Sequence, residues 1–297
     1  MKIKLNSESF RFTGEEKVNL SELPTQVKDL YESKEAYESL LEEFRQEIDE
    51  LQTTMYAHNR YGLLLIFQAM DAAGKDGTIK HVMSGVNPFG IRIHNFKRPT
   101  EQELEHDFLW RTTVQLPERG SIAIFNRSYY EEVLVVKVHP EILTKGQRIP
   151  EAYTKDLDKV WKHRYKDINA LEKYLHRNGI AVMKFFLNVS KKEQGKRLIE
   201  RIEDPSKNWK FEEADVQERA YWNDYMKAYE EMIRETSTDH SPWHVIPADD
   251  KKNMRLIVSH LILEKLRTFD MHFPESDAKR QEALKKLIST IQEQDKD

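Results

Sequence analysis

The chain has 297 residues, with 47 Lys and Arg against 51 Asp and Glu and a formal net charge of −4. It is long enough for one large α/β domain with a substantial core. The near balance of charge argues against a general nucleic-acid binder, while leaving room for a local basic channel. With no cysteine, disulfides and thiolate metal sites are excluded. No apolar run approaches membrane-spanning length, and Met1 to Phe10 holds no signal-peptide core. The expectation is a cytoplasmic protein without a membrane partner.

In chain order, residues Met1 to Pro24 are polar and irregular, an arm lying on the surface. Ser33 to Asn59 is predicted as a helix with Tyr37, Leu40, Leu41, Phe44, Ile48 and Leu51 on one stripe. Leu63 to Phe67 is a buried strand. Ile91 to Phe96 follows the turn Asn87-Pro88-Phe89-Gly90 as a second strand, Thr100 to Val114 is a helix, and Ser121 to Phe125 is a third strand. A long helix, Glu151 to Arg177, stops at Asn178-Gly179 before a fourth strand, Ile180 to Leu187. Then come a basic helix (Lys191 to Ile202), a helix over Phe211 to Glu235, a fifth strand (Trp243 to Ile246) and two helices, Asn253 to Phe269 and Ser276 to Gln294. Short apolar strands alternating with helices predict a five-stranded parallel sheet covered on both faces. Its ligand belongs beyond the carboxyl ends of the strands.

Three segments fall there. The first is Gln68-Ala-Met-Asp71-Ala-Ala-Gly74-Lys75-Asp-Gly77-Thr78, between the first strand and a helix. A glycine-bearing loop with Lys ahead of a helix N-terminus binds phosphate through backbone N–H groups and the ammonium. The usual pattern, G-x-x-x-x-G-K-[ST], is only partly met: Ala69 replaces the first Gly, and Asp76 replaces the hydroxyl after Lys75. Asp71 inside the loop would repel phosphates unless a cation lay between, so it is the candidate Mg²⁺ ligand, directly or through water. Ala73, Gly74, Lys75, Asp76, Gly77 and Thr78 form the candidate phosphate cradle.

The second segment is Phe125-Asn126-Arg127-Ser128-Tyr-Tyr130-Glu131. Arg127 is suited to grip phosphate oxygens bidentately, and Ser128 with Glu131 has the spacing of a capping box. The third is the basic stretch with Arg197, Arg201, Lys207 and Lys210. Arg197 and Arg201 share a helix face, with Leu198 and Ile202 turned away. That stretch fits a cationic lid over phosphates as well as it fits a solvated basic helix. Lys97, Arg98 and Arg111 are further cations near the second strand. The eleven His show no metal-ligand spacing.

These segments, with Thr236-Ser-Thr238 and Pro242-Trp243-x-x-Ile246-Pro-Ala-Asp249, resemble the polyphosphate kinase 2 family over roughly Leu63 to Leu266. The resemblance implies an α/β, P-loop kinase-like three-layer sandwich. Residues 1–60 would be an arm and helix packed on a catalytic domain, 61–297, with a helical lid at about 191–212. It implies Mg²⁺-dependent (or Mn²⁺-dependent), reversible transfer of the terminal phosphoryl group of inorganic polyphosphate to a nucleotide. Asp71, Lys75, Asn126 and Arg127 would form the catalytic set. Asp71 would hold the metal, and Lys75, Arg127, Arg197, Arg201, Lys207 and Lys210 would hold phosphates. Asp71, Lys97, Arg111, Asn126 and Arg127 would face the nucleotide. Asn126 departs from the Asp common in much of the family and is similar to the subgroup accepting both AMP and ADP. A homodimer or homotetramer is the implied assembly. An ATP-dependent P-loop kinase acting on a nucleotide or other small acceptor shares the loop and is the alternative. A non-enzymatic nucleotide switch would leave Asp71, Arg127 and the lid cations without a role.

Overall fold

The computed structural model describes residues 5–14 and 18–295, except for the side chain of Lys210. Six strands form one sheet: β1 (Arg11–Phe12), β2 (Gly62–Gln68), β3 (Ile91–Asn95), β4 (Ile122–Asn126), β5 (Ile180–Asn188) and β6 (Trp243–Pro247), in the order β1-β6-β5-β2-β4-β3. The helices are α1 (Lys34–His58), α2 (Lys75–Met83), α3 (Glu101–Leu104), α4 (Trp110–Thr113), α5 (Val135–Val138), α6 (Glu151–Thr154), α7 (Leu157–Arg177), α8 (Lys191–Glu203), α9 (Glu213–Ala220), α10 (Trp222–Thr236), α11 (Lys251–Arg267) and α12 (Ala278–Gln294).

The five expected strands are present and parallel. The sheet is nonetheless six-stranded, because the polar arm adds β1 antiparallel to β6, Phe12 opposite Trp243. A two-residue strand has no alternation to read in a sequence. The arm's residues 1–4 and 15–17 lie outside the described residues. The predicted helix over Thr100 to Val114 is instead two single turns, α3 and α4. They are separated where the Asp107 carboxylate accepts the Leu109 N–H at 2.9 Å. The helix over Glu151 to Arg177 restarts at Asp156, whose carboxylate caps Lys159 N. The helix over Phe211 to Glu235 breaks at Tyr221 into α9 and α10. In each case a local polar contact or a backbone turn interrupts an apolar pattern that continues across it.

All seven residues of β2 are buried, as a central parallel strand covered on both faces requires. Helices α1, α2 and α11 pack together, as do α7 and α10, giving three layers. The chain leaves β2 towards β3 and β4 on one side and returns through β5 and β6 on the other. The carboxyl end of β2 is therefore the switch point of the sheet, where a crevice opens for ligand. Among the described residues no helix is long and apolar enough to cross a membrane.

Beneath that crevice lies a buried charge pair. Lys184 of β5 and Glu172 of α7 are fully buried, with Nζ to Oε2 at 2.7 Å. Lys184 also donates to the Thr236 carbonyl at 2.6 Å and to Tyr130 Oη at 3.1 Å. The hydroxyls of Tyr129 and Tyr130 both donate to Glu172 Oε1, at 2.9 and 2.7 Å. Two tyrosines directly after Arg127-Ser128 are thereby anchored to α7. Removing one partner leaves an uncompensated buried charge. Lys184→Met and Glu172→Gln should each lose about 3 kcal/mol of unfolding free energy, measured by urea denaturation. The double replacement should lose less than the sum; additive losses would show that the pair is not coupled.

Candidate active site

The loop between β2 and α2 is built by tying its carbonyls back into the protein. Lys75 Nζ donates to Ala69 O at 2.7 Å and Met70 O at 3.4 Å. Gln194 Nε2 donates to Asp71 O at 3.1 Å. Arg197 Nη1 donates to Ala72 O at 3.3 Å and Ala73 O at 2.7 Å. Gly74 O accepts from Thr78 N at 2.9 Å and Thr78 Oγ1 at 3.0 Å. Every carbonyl from 69 to 74 is thus engaged, that of Met70 also by the Ala73 N–H at 3.3 Å. Among the described residues the amides of Asp71, Ala72, Gly74, Lys75, Asp76 and Gly77 have no acceptor. Such a set of N–H groups at a helix start is an anion site. Two positive φ values bend the backbone for it, 59° at Ala72 and 110° at Gly74. A Cβ on Gly74 would stand 3.3 Å from Met254 Cε.

Lys75 is buried. Burial and the facing Arg127 lower its pKa from 10.5 to about 8, partly offset by Asp71, Glu131 and Asp76. Arg127 follows β4 with φ 63°, a costly conformation for a side-chain-bearing residue. Its Nη2 lies 2.9 Å from Asp71 Oδ1, joining the loop to the end of β4. Glu131 stands behind it: its charge, above all, holds the Arg127 guanidinium well above the usual arginine range. Burial raises the Glu131 carboxyl, against the pull of Arg127 and Lys75. Ser128 caps its turn through Tyr130 N. Glu131 does not complete the expected capping box; it faces the cations instead, because the turn is a 3₁₀ turn.

Asn126 ends β4 and bridges two neighbours, donating to Asp76 Oδ1 at 2.9 Å and Asn95 Oδ1 at 2.8 Å. Beside Asn95, Lys97 is exposed. Arg111 is buried, donating to Lys97 O at 2.9 Å, 3.6 Å from Glu103 and 5.2 Å from the centre of the Phe96 ring. Lys97, Arg98 and Arg111 line one groove.

The basic helix α8 presents a different face from the one expected. Gln194, Arg197 and Leu198 are buried, whereas Ile199 and Ile202 are exposed. Arg197 spends all five donors inward. Besides the two loop carbonyls it meets Ala248 O and Asp249 O, both at 2.8 Å, and Glu193 Oε1 at 2.9 Å. Arg201 pairs with Asp215 of α9 at 3.1 Å. Lys207 is exposed and pairs with Asp204. The side chain of Lys210 lies outside the described residues. Thr78 is fully buried, its hydroxyl on Gly74 O and facing Met254 Sδ, so it braces the loop.

Sequence reasoning passed over Gln194 and Arg219, and gave Glu131 a capping role instead of its position beside the cations. Arg219 Nη1 donates to Gln194 Oε1 at 2.8 Å, backing the contact to Asp71 O. The spacing of Gln194 and Arg197 with Leu198 was the available signal, since three residues at that spacing share a face. Among the described residues no group of three or more His, Asp or Glu forms a metal cage. Mg²⁺ in phosphate sites takes only one or two carboxylates beside phosphates and water. Asp71 meets that need: one oxygen is on Arg127, and the other has no hydrogen bond among the described residues.

A parallel sheet with strand, Lys-bearing loop and helix at its switch point, ringed by Arg and a carboxylate, defines a phosphate-binding-loop phosphotransferase. The model of the family "Polyphosphate kinase 2 (PPK2)" matches residues 31–274, and the chain belongs to that family. It is 52% identical over 284 residues to an ADP-polyphosphate phosphotransferase of Rhodopseudomonas palustris, covering 95% of this chain and 97% of the relative. It is 44% identical over 230 residues to an AMP/ADP-polyphosphate phosphotransferase of Meiothermus ruber, covering 77% and 81%. The crystal structure of polyphosphate kinase 2 from Arthrobacter aurescens TC1 superposes with a TM-score of 0.83 at 36% identity, covering 96% of this chain and 98% of that one.

The Asp76–Asn126 bond makes a testable demand. Asn126→Asp would face one carboxylate with another and should cost stability and kcat/KM. Adding Asp76→Asn should restore much of both, with a coupling of about 1 kcal/mol in a double-mutant cycle by denaturation. Independent effects of the two changes would show that the hydrogen bond carries no weight.

Proposed function

We propose that this protein transfers the terminal phosphoryl group of inorganic polyphosphate to AMP and to ADP, giving ADP and ATP, reversibly and with Mg²⁺ or Mn²⁺. The observation that carries the reading is the anion-binding loop, its carbonyls tied back and Lys75 and Arg127 beside it, in a polyphosphate kinase 2 chain. The names of the Rhodopseudomonas and Meiothermus relatives support polyphosphate as donor. They differ over AMP, and Asn126 favours the dual range.

Phosphoryl transfer asks little covalent chemistry of a protein; it asks for in-line positioning and compensation of charge on the transferring oxygens. In this reading the loop amides and Lys75 hold phosphate oxygens. Arg127 compensates charge on the group in flight. Arg201, Lys207 and Lys210 guide the polyphosphate chain from the lid. Asn126, Lys97 and Arg111 border the acceptor nucleotide, Arg111 as a buried strut that fixes the Lys97 backbone. Asp71 would hold the metal, which would supply positive charge against the phosphate oxygens. Arg197 serves by shaping the loop, its charge lying 2.7 Å from a loop carbonyl. The catalytic unit spans 61–297 with the lid at about 191–212, residues 1–60 pack on it, and the enzyme works in the cytoplasm as a homodimer or homotetramer.

Phosphorus NMR of the purified protein with Mg²⁺, long-chain polyphosphate and AMP, without ATP, tests this. The expected result is ADP, then ATP. ATP formed from ADP but nothing from AMP would restrict the acceptor. No transfer to either, with transfer from ATP to a small acceptor, would establish the ATP-dependent alternative.

A further inference from the structure

Helix α12 stands apart from the molecule that the rest of the chain builds. It follows an extended segment, residues 270–277, and every residue from 276 to 295 is exposed. It lies beyond the part of the chain that the family model matches. A solitary helix of this length is marginal in water, and most helices are held by packing an apolar face. That face exists here. Leu284, Leu287, Ile288 and Ile291 are 38%, 53%, 55% and 57% exposed, at the spacing of one helical stripe.

The stripe is complementary to itself reversed. Its flanks are Arg280 and Gln281 at one end and Gln294 and Asp295 at the other. At 3.6 residues per turn all eight side chains lie within about 70° of one line. Counting outward from the midpoint between Leu287 and Ile288, the pairs at one level are Leu287 with Ile288, Leu284 with Ile291, and Arg280 with Asp295, while Gln281 and Gln294 lie on opposite flanks. Apolar meets apolar, and cation meets anion. A two-fold interface demands this kind of self-complementarity. A parallel pairing would set Arg280 against Arg280 and Asp295 against Asp295. The remaining charges sit off the seam: Lys286 pairs with Glu282 on the outer face at 3.1 Å. Arg280 and Asp295 make no ion pair among the described residues.

We infer that α12 pairs antiparallel with α12 of a second copy of this chain, about a two-fold axis between Leu287 and Ile288. Apolar burial along four side chains drives the pairing, and the Arg280–Asp295 contacts at both ends set its direction. The inference does not depend on the reaction proposed above.

The chain has no cysteine, so an introduced thiol reports on one position. Under mild oxidation Leu287→Cys should form a disulfide-linked dimer, because it lies at the axis. Leu284→Cys mixed with Ile291→Cys should crosslink at least about fivefold more than either alone, since copies of Leu284 would stand about 10 Å apart along the axis. Leu287→Glu with Ile288→Glu should shift the sedimentation of the protein to smaller species without loss of its circular dichroism. Self-crosslinking of Leu284→Cys as efficient as that of Leu287→Cys would indicate a parallel pair and overturn the proposal. Absence of crosslinking, with the stripe protected from hydrogen exchange in a monomer, would place α12 on its own chain and overturn it as well.

Discussion

The site depends on one guanidinium that binds backbone. Arg197 ties the carbonyls of Ala72 and Ala73 to those of Ala248 and Asp249. The loop between β2 and α2 is thereby fixed to the turn after β6 and to the first half of α8. The Ala73 carbonyl, held from behind, turns the N–H of the same peptide, that of Gly74, forward, so this donor faces the crevice before any anion arrives. Preorganised donors cost no reorganisation at the moment of reaction, which is why they are effective there. Asp249 secures the same junction from the other side, accepting from Ser190 N at 2.7 Å and Thr25 Oγ1 at 2.8 Å.

Three cations, Lys75, Arg127 and Arg197, are gathered around one loop, and the fold holds them without a substrate by spending acids on them. Asp71 takes Arg127, Glu193 takes Arg197, and Glu131 sits behind both Arg127 and Lys75. The compensation for Lys75 is incomplete, and its pKa of about 8 records the residual cost of a buried ammonium. A polyanion in the crevice would supply the missing charge. The Lys184–Glu172 pair works at a greater depth, holding Tyr129 and Tyr130, and through them the strained backbone at Arg127.

Much of this was legible in the chain. The apolar run before Gly74-Lys75 located the central strand and the loop, and all five core strands were readable from short apolar segments bounded by turns. The direction of the α8 side chains was not: Leu198, Ile199 and Ile202 share one apolar face, yet Leu198 goes in and Ile199 and Ile202 stay out. Only contact with the loop decides between them, and that contact also makes Arg197 a strut. Thr78 escaped for a related reason. A hydroxyl three residues after Lys75 suits a phosphate or the Gly74 carbonyl equally well, and helix geometry chooses the carbonyl. Strand β1 and the breaks near Asp107, Asp156 and Tyr221 rest on single contacts that leave no periodic trace.

Replacing Arg197 by Lys tests the account most directly. The substitution keeps the positive charge but cannot span four carbonyls. Calorimetric titration with a short polyphosphate, together with kcat for transfer to ADP, should show affinity and kcat each falling by about tenfold or more, the scale of losing oriented donors. Wild-type affinity and kcat in Arg197→Lys would mean that charge alone matters at this position, and would contradict the claim that backbone tethering builds the site.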